Sequence, residues 1–396
     1  MVNSEIVLCA PVRTAIGTFG GALKDMPATT LGALAIRETL SRSGLESGPQ
    51  AIDLAIMGQV IQAGAKMNPA RQAAIGGGLP VNVPALTVNR VCGSGAQAIA
   101  SAALEITAGY AKAVVAGGME NMDQAPYLAA GGRWGNRMGD AVMTDTVLSD
   151  GLTDAFSGKH SGWHTEDLVS EQKISREDQD RWAARSQQHF SAAQADGRFA
   201  AEIAPIDIVE RKGTRTFDKD EANRPDTTLE SLSRLKPAFR SDGTITAGNA
   251  PGLNSGAAAM IVADRDYAES KGMRPMARLV SFGVAAVEPG MFGLGPVPAV
   301  EIALARAGWQ RSSVDRFEIN EAFAAVTLAC LRALSLPEDI VNVEGGSIAH
   351  GHAIGATGAV LTTRLLHSMQ RDGLKRGIVT LCIGGGQGIA LALEAL

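Results

Sequence analysis

Three short segments carry residue types that can do acyl chemistry. Cys92 stands in Val91-Cys92-Gly93-Ser94-Gly95, Cys382 in Leu381-Cys382-Ile383-Gly384-Gly385-Gly386, and His352 in Gly351-His352-Ala353-Ile354-Gly355. A thiolate can attack a carbonyl and hold the acyl group as a thioester, an imidazole can take the thiol proton, and a second thiol can serve as a further acid or base. The set predicts acyl transfer. Taken singly, the residues leave the matter open: a free cysteine is often a small buried hydrophobe, and a lone histidine is more often structural than catalytic.

The elements around these residues predict how they are presented. Cys92 follows an apolar extended run, Val83 to Val88, and precedes the helical spacing of Ala96 to Ile106, which places it at a strand-to-helix turn. Backbone N–H groups and the helix dipole at such a turn favour thiolate over thiol. Gly93 and Gly95 would let a substrate approach the backbone. A weak internal duplication runs through the chain. Helix Leu31 to Leu40, Gly44 and strand Ile52 to Gly58 are echoed by helix Val297 to Ala307, Gly308 and strand Val314 to Asn320. Cys92 leads through a helix to the strand Ala113 to Gly118, and His352 leads through a helix to the strand Gly377 to Cys382. Two βαβ-rich halves with right-handed crossovers follow, with Cys92 and His352 in matching places.

Between the halves, from about Asn121 to Asn249, the chain is richer in charge and in Trp, His and Gln. It holds one clear helix from Ser175 to Asp196, with Ser175 as N-cap and Asp178 three residues on. The stretch is too long for a plain loop and reads as a lid-like subdomain. Arg211, Lys212, Arg215, Arg224, Arg234, Lys236 and Arg240 make part of it locally basic, mostly as solvated surface, with a few available to a phosphate-bearing ligand.

Composition narrows the classes. The 396 residues exceed the size at which single cores stop growing, so two or more domains are expected. Aromatics are only 4% and glycines number 46, which suits closely packed α/β layers. A formal charge of −5 argues against nucleic acid as a general partner. Four scattered cysteines form neither a disulfide framework nor a paired metal motif, and a reducing cytoplasm fits them. No apolar run reaches membrane-spanning length, and the first residues lead directly into a strand pattern.

The motifs together resemble the thiolase family. Val91-Cys92-Gly93-Ser94-Gly95, Gly117-Gly118-Met119-Glu120, Asn320-Glu321-Ala322-Phe323, Gly345-Gly346 through Gly351-His352 with Gly355-Ala356-Thr357-Gly358, and Cys382-Ile383-Gly384-Gly385-Gly386 stand in family order over nearly the whole chain. The resemblance implies a five-layered α-β-α-β-α fold of two similar halves, residues 1–121 with 253–274 and residues 275–396. A loop domain at 122–252 would cover coenzyme A. It also implies that Cys92 is the nucleophile and His352 the histidine that activates it, since the family's residues match these positions. Cys382 would take a proton from the methyl of acetyl-CoA and return it in the degradative direction; an ordinary thiol pKa of about 8.5 suits that task. By the same resemblance, His352 and a water held by Asn320 would stabilise the enolate, and the backbone N–H groups of Cys92 and Gly384 would form a second oxyanion hole. Glu321 would have a supporting role.

The resemblance carries over the coenzyme A contacts too: His160 near the pantetheine, Arg224 and Ser231 near the adenine and its phosphates, and Phe292 at the acyl end. Phe292 reads equally as core packing. Pro251 and Ala353 depart from the usual serine and proline, so Pro251 removes one possible donor to coenzyme A; His350 replaces a usually apolar residue and has no role assigned. The implied activity is reversible Claisen condensation and thiolysis of acetyl-CoA and 3-ketoacyl-CoA by an acyltransferase without metal or redox cofactor, in a homodimer or homotetramer. A decarboxylating ketosynthase and a non-catalytic coenzyme A-binding member of the fold are the alternatives. The Cys382 motif speaks against the first, and the intact set of Cys92, His352, Asn320 and Cys382 against the second.

Overall fold

A computed structural model describes residues 5–210 and 213–396; Arg211 and Lys212 of the basic segment lie outside the described residues. Nine strands form the path of the main sheet, in the spatial order Arg316–Ile319, Arg376–Ile383, Gln387–Ala395, Pro275–Ala286, Ile6–Thr14, Asn254–Asp264, Ala113–Asn121, Leu54–Gly58 and Ala85–Val88. The first four belong to the C-terminal half and the last five to the N-terminal half. The halves share an antiparallel seam in which Val7 pairs with Arg278 and Leu8 with Ala277.

Alternation along each strand sorts side chains into layers. Val114 and Ala116 face a central core with helices Ser94–Thr107 and Thr357–Asp372, whereas Ala113 and Val115 face the outer helices Ala28–Arg42 and Pro69–Gly76. In the other half Val379, Leu381 and Ile383 point to the same central helices. Ile378 and Cys382 point outward, into the cluster of helices Pro296–Ala307 and Ala324–Ala333. The sequence of layers is therefore helix, sheet, helix, sheet, helix, as the thiolase resemblance implied.

The two central helices touch at their first turns. A Cβ added to Gly358 would lie 2.3 Å from the backbone N of Ala96, and one added to Gly95 would lie 2.6 Å from the N of Ala359. Only glycine permits that approach. Gly93 likewise abuts Ile383, so Gly93 and Gly95 serve packing between elements; the expectation that they open the backbone to substrate is corrected.

The inserted segment contains the expected helix at Arg176–Ala195, and its Ser175 hydroxyl accepts the Asp178 N–H at 3.0 Å. A second helix, Ser161–Gln172, and the hairpin Ile206–Glu210 with Gly213–Phe217 escaped the sequence reading. The cap of that second helix is His160, whose Nδ1 accepts the Gly162 N–H at 2.9 Å. Capping by an imidazole carries no recognisable start signal. Arg13, fully buried in the first strand, anchors the insertion through Asp220 at 2.8 and 2.9 Å and Glu202 at 2.7 Å.

Gly358→Ala should lower the urea midpoint by the equivalent of about 1–3 kcal/mol, because the backbone it would strike cannot swing aside. An unchanged midpoint would show that the helices tolerate separation.

Candidate active site

The turn that presents Cys92 is held under strain. Val91, a β-branched residue, sits at φ 44°, in the left-handed region such residues avoid. Local hydrogen bonds fix it: the Gly93 N–H donates to the Arg90 carbonyl and the Ser94 N–H to the Val91 carbonyl, each at 3.0 Å. The Ser94 hydroxyl donates to the Val91 carbonyl at 2.7 Å and accepts the Arg90 N–H at 2.9 Å. The helix begins at Ser94, leaving the Cys92 side chain free to face a cavity.

His352 lies before the matching helix of the other half. Its N–H donates to Asn254 Oδ1 at 2.8 Å. The Thr357 hydroxyl donates its one proton to the Ala353 carbonyl at 2.8 Å, so at 2.7 Å from the imidazole it accepts from Nδ1–H. That bond leaves Nε2 as the free base. Asn320 Nδ2 stands 3.5 Å from Nε2, while Asn320 Oδ1 accepts the Ser347 hydroxyl at 2.7 Å. Glu120 holds the far side of the same loop, taking the Gly355 and Val60 N–H groups at 3.0 Å.

Burial dominates the electrostatics. It pushes the Cys92 thiol up to about 11, with Glu120 adding to the rise; backbone hydrogen bonds from Gly384 and from Cys92 itself oppose it. The N–H groups and helix start favour the thiolate, as expected, but desolvation outweighs them. Burial also lowers His352 to about 4, so the imidazole is neutral. Cys382 is raised well above an ordinary thiol, first by burial and then by the nearby Cys92 sulfur, which corrects the expected near-neutral value. Burial brings Glu120 to about 7 against its backbone hydrogen bonds.

A cavity of about 440 Å³ brings together Cys92, His352, Gly384, His160 and Phe292. Its walls are mainly apolar, from Val91, Met122, Leu253, Phe323 and Ile354 among others. Cys382 is fully buried two residues before Gly384 and does not line it; Asn320 reaches it only through His352. His160 stacks on Phe239 with ring centroids 4.6 Å apart. Arg224 is exposed and lines a second cavity of about 340 Å³, which shares Ala250, Pro251, Gly252 and Leu253 with the first. Ser231 lines neither: its hydroxyl and N–H close a capping box with Thr228. Two other members of the basic segment are in ion pairs, Arg234 with Glu230 and Arg240 with Asp167.

Sequence reasoning gave no part to Thr357, Asn254 or Glu120, and too small a part to Glu321. The Glu321 carboxylate is fully buried and accepts four hydrogen bonds, from Trp182 Nε1 at 2.9 Å, Ser186 Oγ at 2.7 Å, Asn342 Nδ2 at 3.0 Å and the Ile348 N–H at 3.0 Å. Its place beside Asn320 was the one available signal. His350 is buried against Phe190 with neither ring nitrogen hydrogen-bonded, and burial together with Arg364 holds it far below the ordinary histidine range. No group of three or more His, Cys, Asp or Glu side chains able to hold a metal occurs among the described residues.

Comparison with known proteins gives the family. Residues 6–266 match the family model of the thiolase N-terminal domain, and residues 273–395 that of the thiolase C-terminal domain. An acetyl-CoA acetyltransferase of Pseudomonas aeruginosa is 50% identical over 390 residues, 98% of this chain and 99% of the relative. A probable acetyl-CoA acyltransferase of Staphylococcus epidermidis is 50% identical over 392 residues, 99% of each chain. The crystal structure of the Bacillus anthracis acetyl-CoA acetyltransferase superposes with a TM-score of 0.96 at 44% identity, and that of human mitochondrial 3-ketoacyl-CoA thiolase with 0.96 at 41%, each covering 99% of both chains. With both family domains present in order and a site built from both halves, the chain belongs to the thiolase family.

Proposed function

We propose that the chain is an acyltransferase that catalyses the reversible, CoA-dependent condensation of two acetyl-CoA to acetoacetyl-CoA and the thiolysis of 3-ketoacyl-CoA. The observation that carries this reading is the meeting of Cys92, the free Nε2 of His352 and the Gly384 N–H in one apolar cavity, with a second thiol beside it. A ketosynthase has no use for that second thiol, and a binding protein has no use for the strained turn.

In the condensation direction Cys92 Sγ attacks the thioester carbonyl of acetyl-CoA while its proton passes to His352 Nε2. The N–H groups of Gly384 and Cys92 receive the developing oxyanion, and CoA leaves as the thiol with that proton. Cys382, as its thiolate, next takes a methyl proton from a second acetyl-CoA. Burial makes that thiolate scarce, but it also makes it a stronger base for a weakly acidic carbon. The enolate carbon attacks acyl-Cys92 and expels the Cys92 sulfur, and the proton on Cys382 returns to it. Asn320 donates toward the enolate oxygen through a water. Bonds, protons and charge balance without electron transfer, and the steps as written call on no redox cofactor.

His160, Phe239 and Phe292 would flank the pantetheine and acyl end, and Arg224 the phosphates. Ser231, committed to its capping box, would have to turn outward to take part. A homodimer or homotetramer in the cytoplasm completes the proposal. It is supported by apolar groups left in solvent on the edge strand Ala85–Val88 and around the hairpin Tyr127–Leu128 with Thr144–Asp145, where Trp134 is 90% and Met138 95% exposed. No helix among the described residues is long and apolar enough to cross a membrane.

Incubation with acetyl-CoA, acid quench and peptide mass mapping should find the acetyl group on Cys92. Cys382→Ser should still become acetylated but should not exchange the methyl protons of acetyl-CoA with solvent. Label on Cys382 alone, or exchange at the wild-type rate in the variant, would reverse the assignment. With the imidazole at about 4 and the thiol at about 11, single-turnover acylation should stay level across neutral pH. It should fall in acid only as His352 is protonated; an acid limb centred near the ordinary histidine value of about 6.5 would contradict a buried neutral base. Arg224→Ala should raise the KM for CoA substrates by the equivalent of about 1 kcal/mol and weaken its salt dependence, with acylation at saturation unchanged. A KM that stays the same at low and high salt would return Arg224 to the plain solvated surface.

A further inference from the structure

The segment that carries His352 is held by the insertion at several points, among them the Gly346 N–H on Ser186 Oγ at 2.9 Å, and Ile348 is bound through both its backbone groups. Its N–H donates to Glu321 Oε2, and that carboxylate is itself bound to Trp182 and Ser186 on helix Arg176–Ala195. The Ile348 carbonyl accepts from Gln187 Nε2 at 3.0 Å, on the same helix. Gln187 is buried, 4% exposed, and its other end is also occupied: Oε1 accepts the Arg224 N–H at 2.7 Å and Asn223 Nδ2 at 2.9 Å. One residue before Ile348, the Ser347 hydroxyl holds Asn320, whose amide faces His352 Nε2. Gln187, Arg224 and Ile348 all line the second cavity, so this chain of contacts borders a space that shares four lining residues with the reactive cavity.

We propose that Gln187 is a positioning residue that couples occupancy of the Arg224 loop to the orientation of Asn320 and His352. The ligand part sensed is the nucleotide end of coenzyme A, and the inference rests on the function proposed above. A phosphate-bearing group that orders the Arg224 loop fixes Gln187 Oε1. The same planar amide then fixes the Ile348 carbonyl, and with it the backbone that bears Ser347 and leads to His352. Binding energy from a remote, non-reacting part of the substrate is thereby used at the reacting centre, where it raises kcat as well as affinity. A residue that merely braced the fold would slow every substrate alike.

The test compares methyl-proton exchange at saturating acetyl-CoA with exchange at saturating acetyl-pantetheine, which lacks the nucleotide. In the wild type the kcat ratio should be on the order of tenfold or more, within the range of ordinary coupling between sites. Gln187→Leu should bring it close to one, with the acetyl-CoA rate falling to that of the short thioester. Gln187→Glu keeps an acceptor for the Arg224 loop but sets an acceptor against the Ile348 carbonyl; it should give the same collapse, and it serves alone if the leucine variant does not fold. Equal slowing of both substrates at an intact ratio, or a wild-type ratio already near one, would overturn the coupling. A wild type that exchanges neither substrate while remaining folded would instead refute the proposed reaction.

Discussion

The glycine contact between helices Ser94–Thr107 and Thr357–Asp372 is the constraint on which the site depends. The contact lies in the first turn of both helices, at Gly95 and Gly358, so both chains enter the central layer at the same end. The turn before one helix carries Cys92 and the loop before the other carries His352. A wider crossing would still bury apolar surface, but it would separate nucleophile from base. The duplicated architecture thus places the two reacting groups by juxtaposing equivalent ends of equivalent helices, one from each half.

Once those ends meet inside the molecule, desolvation becomes the governing electrostatic effect. Backbone N–H groups at the Cys92 sulfur lower its pKa, yet the thiol still rests near 11, and the imidazole rests near 4. The pair is therefore stored neutral. Charge appears only when a carbonyl is present to take it, and the N–H groups already aimed at the sulfur then serve the oxygen that forms beside it. Site stability and reactivity are reconciled in this way, since an unpaired buried thiolate would cost the fold much more than a buried thiol does.

Much of this was legible in the sequence. The helical and strand periods around Cys92, Ile52 to Gly58, Val297 to Ala307 and Gly377 to Cys382 reappear as elements within a few residues, because their apolar patterns are long and their breakers are glycines. The insertion was less legible: helix Ser161–Gln172 is capped by a histidine, and its hairpin is mostly exposed. Of the reactive residues identified by type, Cys92 and His352 line the cavity while Cys382 and Asn320 stand behind it. Asn254 and Glu120 were given no part because their hydrogen bonds reach residues far away in sequence, and Thr357 because its bond to His352, five residues away, forms only once the helix start is folded. The pKa values were misjudged for a related reason. Helix starts and glycines are local features, but burial is the sum of everything packed around a group.

The seam between strands Ile6–Thr14 and Pro275–Ala286 makes the two halves one mechanical body. Backbone pairing at Val7 and Leu8 with the facing strand cannot open without breaking the central core, so the protein has no hinge at the boundary between its repeats. Substrate exchange therefore has to be managed at the rim, by small movements of side chains and of the inserted segment. A closure of one half on the other is therefore not available to gate the site, and access to it falls to the rim alone.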